Sequence, residues 1–196
     1  NSIICQDGLW KKDARKIEIL QTKHRQILDS ELSPVEKIYW LLEYCKRYGT
    51  LPFAGLARAG FIAVEFLRSM VAVGVLTEEE RAAYLGSLAT VGKNISRDLS
   101  RLSRQAFLEK YGHLRPGTYD IRSPRYDQES RYFDTALPRQ AAPDKAVFKL
   151  SLEQFTRLQQ LLEKHRLSAD VLSLFAFIQQ AIEGREYAKF VFTRTL

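Results

Sequence analysis

The sequence predicts a mainly α-helical bundle with one long ordered loop at about residues 112–147. Apolar residues recur at spacings of three and four on both sides of that loop, as they do in a helix with one buried stripe. Three helix-start patterns punctuate the chain: Ser33 with Glu36, Thr77 with Glu80, and Ser151 with Gln154. In each, a side chain able to cap the first turn is followed three places later by Glu or Gln. Strand-like alternation is not sustained, short candidates such as 146–150 aside.

Taken in order, residues 10–28 place Ile17, Leu20, His24, Ile27 and Leu28 on one face of a first helix. Ser33-Pro34-Val35-Glu36 starts a second, with Pro at its first position. It is expected to run to Tyr48 and stop at Gly49, with a core face of Val35, Ile38, Tyr39, Leu42 and Cys45. The next segment, LPFAGLARAGFIAVEFLRSMVAVGVL, is dense in small residues: Ala54, Gly55, Ala57, Ala59, Gly60 and Ala63. Small side chains let a second backbone come close, which predicts tight helix–helix packing ahead of a shallow ligand surface. Thr77 is expected to start a long helix carrying Tyr84, Leu88, Val91, Ile95, Leu99 and Leu102. Ser103 restarts a short helix ending at Tyr111-Gly112. Beyond the loop, Ser151 opens a helix with Leu152, Phe155, Leu158 and Leu162. The span from Ser168 to Thr193 reads as the last, with Val171, Leu174, Phe175, Ile178 and Ile182 inward.

The chain of 196 residues, 45% hydrophobic, is long enough for one domain with a real core. No uninterrupted apolar run reaches membrane-spanning length, since Glu65 and Arg68 divide the stretch from Phe61 to Leu76. No basic-then-apolar leader opens the chain. A cytoplasmic protein with no membrane partner is expected. Cys5 and Cys45 lack metal-ligand spacing; a single disulfide is compatible with the count, and the reduced state is expected. The chain begins at Asn1 and ends at Leu196 inside the dense pattern FVFTRTL, which reads as a piece of a longer protein.

Several chemistries have no sequence support. There is no GxxxxGK[ST] phosphate cradle and no GxGxxG after a strand. His24, His113 and His165 show no HExxH spacing, so no metal is expected, and His24 and His165 read as partly exposed helix histidines. No Ser-His-Asp or Cys-His arrangement stands out.

The loop is different. From Tyr111 to Phe133 the chain reads YGHLRPGTYDIRSPRYDQESRYF, with four of the nine tyrosines and four arginines. A bundle rarely carries a loop of this length without a use for it, and this composition favours order over disorder. Arg115, Arg122, Arg125 and Arg131 offer planar donors for phosphate or carboxylate. Tyr119 and Tyr126 can stack or donate, and Gly112 and Gly117 permit a tight path. His113 suits a phosphate contact or a proton shuttle. The competing reading, held equally open, is a loop strapped across the bundle by its own ion pairs through Asp120, Asp127 and Glu129.

These residues resemble the central-domain segment of enzymes related to phosphoenolpyruvate synthase, pyruvate phosphate dikinase and rifampicin phosphotransferase. The match lies in Tyr111-Gly112-His113, Arg115-Pro116-Gly117, Asp120 and Pro124-Arg125-Tyr126. Thr118-Tyr119 stand where many such proteins have Gly-Glu, so the acceptor of the better-known members does not carry over. Arg185-Glu186-Tyr187-Ala188-Lys189-Phe190 resembles the REx-x-K element that follows the loop in that family, and residues 51–69 resemble its uncharacterised members.

The resemblance implies the acceptor-binding or docking region of a multidomain phosphotransferase. ATP-grasp and phosphohistidine domains of the same parent chain would be its partners, and a small molecule its acceptor. ATP and Mg would serve the parent, with no cofactor in this segment. His113, Arg115, Tyr119, Asp120 and Arg125 are then the candidate substrate- or phosphate-binding residues, and no residue is a certain catalyst. Arg185, Glu186 and Lys189 are candidate supports that tie the loop down.

Two other readings remain. A net charge of +7, the basic residues Lys11, Lys12, Arg15 and Lys16, and a cationic face at Arg97, Arg101 and Arg104 fit a nucleic-acid-binding module. A solvated helix face explains them at lower cost, so nucleic acid is not the expected partner. The last reading is a scaffold that holds two catalytic domains apart.

Overall fold

The computed structural model describes residues 8–115, 122–129 and 148–195, and the architecture is mainly α-helical. Cys5 and the loop residues 116–121 and 130–147 lie outside the described residues. The strand candidate 146–150 lies partly outside, and its described residues 148–150 form no strand.

Helix α1 spans Leu9–Leu28 and buries Trp10, Ile17, Leu20 and Ile27. Leu28, expected inward, is half exposed because the helix ends there, one position off the stripe that faces the core. Helix α2 spans Pro34–Tyr44 and begins as expected: the Ser33 N–H donates to the Glu36 carboxylate at 2.9 Å, completing a capping box.

The helix does not stop at Gly49. A wider π-helical turn, Cys45–Thr50, joins α2 directly to α3, Leu51–Ala72. A proline inside a helix clashes with the carbonyl four residues back, here that of Tyr48 ahead of Pro52, and a widened turn accommodates it. Gly49 serves packing instead of termination. A Cβ there would lie 3.0 Å from Leu20 Cδ2 and 3.1 Å from Phe192 Cβ, so two helices meet at its bare backbone. The resulting 39-residue helix, Pro34–Ala72, is long and apolar enough to cross a membrane by length and composition, unlike the separate runs read from the sequence. Its α3 half nevertheless supplies the centre of the core.

The expected core face of α2 is not buried. Val35, Ile38, Tyr39 and Leu42 are 76%, 59%, 58% and 48% exposed, and Cys45 alone of the five is buried. The cause is tertiary: α2 packs chiefly on the end of α1 and leaves its other side open.

Helix α3 buries Leu56, Ala59, Gly60, Ala63, Leu67 and Met70 and ends at Gly74, whose φ of +67° suits a residue without a side chain. Helix α4 spans Glu78–Ser87 behind the Thr77–Glu80 capping box. The single long helix expected from 77 to 102 is broken at Leu88–Thr90, and α5 spans Val91–Arg101. Three contacts make that break. Thr90 caps α5 by accepting from the Lys93 N–H, the Lys93 ammonium donates to the Leu85 and Leu88 carbonyls at 2.9 Å each, and the Ala89 N–H donates to the Glu183 carboxylate at 2.8 Å. Leu102, past the end of α5, is exposed.

Helix α6, Arg104–Tyr111, starts at Ser103 as read. Helix α7, Leu152–Lys164, carries the third capping box, and the Gln154 amide also reaches Glu80 at 2.9 Å, coupling two helix starts. Leu152 is exposed at the first position, whereas Leu158 and Leu162 are buried. Helix α8, Val171–Thr195, buries Val171, Leu174, Ile178, Ala181, Ile182, Ala188 and Val191 and pairs along α3. Phe175, expected inward, is half-buried.

Gly49 gives a direct check. In an ordinary helix, Gly to Ala gains about 1 kcal/mol. At this contact the new methyl meets Leu20 and Phe192 at 3.0–3.1 Å, so Gly49→Ala should lower the melting temperature. A rise would show that the helices are not in close contact there.

Candidate functional site

The loop departs from α6 through Tyr111-Gly112-His113. Gly112 is required by contact: a Cβ would fall 2.4 Å from the Leu108 carbonyl oxygen and 3.1 Å from Asp127 Cβ. Two backbone bonds then close the strap on itself, Tyr126 N–H to Leu114 O at 3.0 Å and Asp127 N–H to Gly112 O at 3.2 Å. Aromatic side chains seat it on the bundle. Tyr111 and His113 both meet Phe190 of α8 edge-on, with centroids 5.9 and 4.9 Å apart, and Tyr126 meets Phe107 of α6 at 6.0 Å.

A polar cluster beneath it fixes α6 to α5. The buried Asp98 carboxylate accepts from the Tyr111 hydroxyl at 2.8 Å and from the Lys110 ammonium at 2.7 Å, with Arg97 Nε at 3.4 Å. These donors favour the charged form, with Lys110 first and Tyr111 second, and hold the carboxyl at about 2. Burial pushes the Tyr111 hydroxyl above its ordinary value, and Asp98 adds to the effect. Arg97, from the cationic face, therefore leans on Asp98, while Arg101 stays exposed.

The expected site residues fall as follows. His113 is half-buried with Nε2 3.2 Å from the Phe190 carbonyl, so the ring carries its proton on that nitrogen. Burial, aided by Arg194 and Arg125, pushes its pKa down to about 4, and the ring is neutral near pH 7. Arg115 donates to the Ser123 carbonyl. Arg125 grips Asp127 with two parallel bonds of 2.9 Å each. Both guanidiniums thus have partners within the strap. Tyr119 and Asp120 lie outside the described residues.

Of the expected supports, Arg185 of α8 packs against α3, its guanidinium carbon 5.9 Å from the Phe61 ring centroid and its Cδ against Gly60. It does not reach the described part of the loop. Glu186 is half-buried and forms no ion pair among the described residues. Lys189 sits one position before Phe190, and its carbonyl accepts from Thr193 Oγ1 at 2.8 Å.

The sequence names Phe190 only as the end of the Arg185–Phe190 element and does not single out Asp98 or Arg194, whose guanidinium approaches the Glu109 carbonyl at 3.4 Å. An acid in the middle of a basic helix face was the one available signal for Asp98. Among the described residues, open concavities of about 160 and 350 Å³ lie elsewhere, and neither is lined by a described loop residue. No family model, curated protein or solved structure matches the chain.

The His113 environment sets a pH dependence. The imidazole titrates near 6.5 when unfolded and near 4 in the fold, so between those values the unfolded state binds more protons. Stability is greatest above that window and falls as pH drops through it. His24, lowered by burial with Arg194 and Arg25 adding, acts in the same sense. His113→Gln keeps a donor for the Phe190 carbonyl and should flatten the slope of melting temperature against pH. An unchanged slope would place the titration elsewhere.

Proposed function

We propose that the chain is a helical docking module on the acceptor side of a larger phosphoenolpyruvate synthase-like phosphotransferase, with no catalysis of its own. The outer face of α2 carries the docking half of this reading. Val35, Ile38, Tyr39 and Leu42 stand at i, i+3, i+4 and i+7, the spacing of a core-facing stripe, and are all exposed. Trp40 adds a further partly exposed aromatic ring, its centroid 5.3 Å from that of Tyr39 and 5.6 Å from that of Tyr44. A stripe written like a core face and left uncovered is suited to a partner that completes the burial, and aromatic side chains are favoured where such partners meet.

The partner proposed is an adjoining catalytic domain of the same parent protein. The parentage is supported by the motif from Tyr111 to Tyr126. The reading of no catalysis of its own is supported by the missing nucleotide cradle and by Arg115 and Arg125, which already have partners in the strap. The cationic face of α5 is left as a solvated surface, with Arg97 drawn toward Asp98.

Replacing Ile38 and Leu42 together by Glu separates docking from folding. Both are surface positions, so the melting temperature of the chain should move by no more than about 2 °C. Phosphotransfer by the parent polypeptide should fall by about tenfold or more, as expected when a charge is placed in an apolar interface. Full activity in the double variant, or ATP turnover by the chain alone, would overturn the reading.

A further inference from the structure

The break between α4 and α5 does more than interrupt a helix. It faces α8 across the larger of the two concavities, an open groove of about 350 Å³. Ala89 and Gly184, two small residues that leave space, are part of its lining. Packing does not force the glycine: a Cβ there would meet one atom only, Leu56 Cδ2 at 3.9 Å. The rim is polar, with Asn94 from α5 and Gln180, Glu183 and Tyr187 from α8.

The hydrogen bonding of this rim is unfinished in a specific way. The Asn94 and Gln180 carboxamides make no side-chain hydrogen bond among the described residues. Glu183 Oε1 accepts from the Ala89 N–H at 2.8 Å and from Gln179 at 3.3 Å, and no cation pairs with this carboxylate among the described residues. Tyr187 donates its hydroxyl to Gln21 at 3.1 Å, which fixes the ring at the edge and leaves its oxygen able to accept. The backbone around the opening is held by construction: Lys93 ties down the last carbonyls of α4, and Glu183 ties down Ala89.

We propose that this concavity binds a neutral, polyhydroxylated small molecule, a sugar or cyclitol. Two carboxamides offer paired donors and acceptors to neighbouring hydroxyls, a carboxylate accepts hydrogen bonds from hydroxyls, and Tyr187 and Val91 supply apolar lining for a C–H face. An unpaired carboxylate at the rim disfavours an anion. A hydroxyl is one of the nucleophiles that accept a phosphoryl group, so the site suggests an acceptor class for the role proposed above. It rests on that role for its use alone, because binding is read on the chain by itself.

The test is a two-dimensional amide NMR titration of the 196-residue chain with methyl α-D-glucopyranoside, myo-inositol and, separately, inorganic phosphate. At least one of the two neutral probes should give saturable shifts clustered at Ala89, Asn94 and Gln180 to Tyr187. Gln180→Ala, which removes an unbonded exposed side chain, should weaken that binding about tenfold. Gly184→Leu should abolish it by crowding the concavity while the spectrum elsewhere is retained. No saturable shifts with either neutral probe, shifts centred elsewhere, affinity unchanged in both variants, or a response to phosphate alone would each overturn the site. Such a failure would stand apart from the docking reading, which is judged by the α2 double variant in the parent.

Discussion

The close approach of α3 and α8 is the constraint on which the rest of the structure depends. Gly60, Ala59 and Ala63 present a nearly bare backbone, and a Cβ on Gly60 would already sit 3.4 Å from the Ala181 carbonyl oxygen. Each later feature is placed by this pair. Phe190, near the far end of α8, receives Tyr111 and His113 and so seats the strap. Glu183, farther back along the same helix, fixes the α4–α5 break. At the N-terminal end of α3, beside the same end of α8, Gly49 of the π turn passes between Leu20 and Phe192, and the chain continues back into α2.

The strap shows how a polar device can be structural and chemical at once. Asp98 would be costly to bury alone; three donors compensate it, and one of them, Tyr111, opens the motif that the sequence marks most strongly. The two arginines that looked poised for an anion satisfy a carbonyl and a carboxylate within the strap. His113 is held neutral by burial beside two guanidiniums, which makes it a sensor of acid more than a cation for binding phosphate.

The helix starts were legible because their causes are local. Ser33, Thr77 and Ser151 carry both halves of a capping box within four residues, and all three boxes form. The stripes of α1, α7 and α8 were legible for the same reason. Gly49 was misread because a glycine that ends a helix and one that admits a neighbour look alike in sequence; Leu20 and Phe192 decide between them. The break at Leu88–Thr90 depends on Glu183, nearly a hundred residues on in the sequence, and no local pattern announces it. In the loop, Tyr111 and His113 stood out by type, but their partners Asp98 and Phe190 come from other helices, whereas Arg125 pairs with Asp127 inside the strap. The α2 stripe was read correctly as apolar and helical; whether anything covers such a stripe is a tertiary fact.

The central claim is that α3 and α8 form a rigid frame from which α2 projects an uncovered apolar face. Amide hydrogen exchange on the isolated chain tests it most directly. Amides of α3 and α8 in the buried stretch should exchange slowest, near the rate of global unfolding. Those of α2, the end segment of the 39-residue helix and held chiefly along one side, should exchange much faster through local opening. Protection of α2 equal to that of α3 would mean its face is already covered in the isolated chain, and would contradict the account.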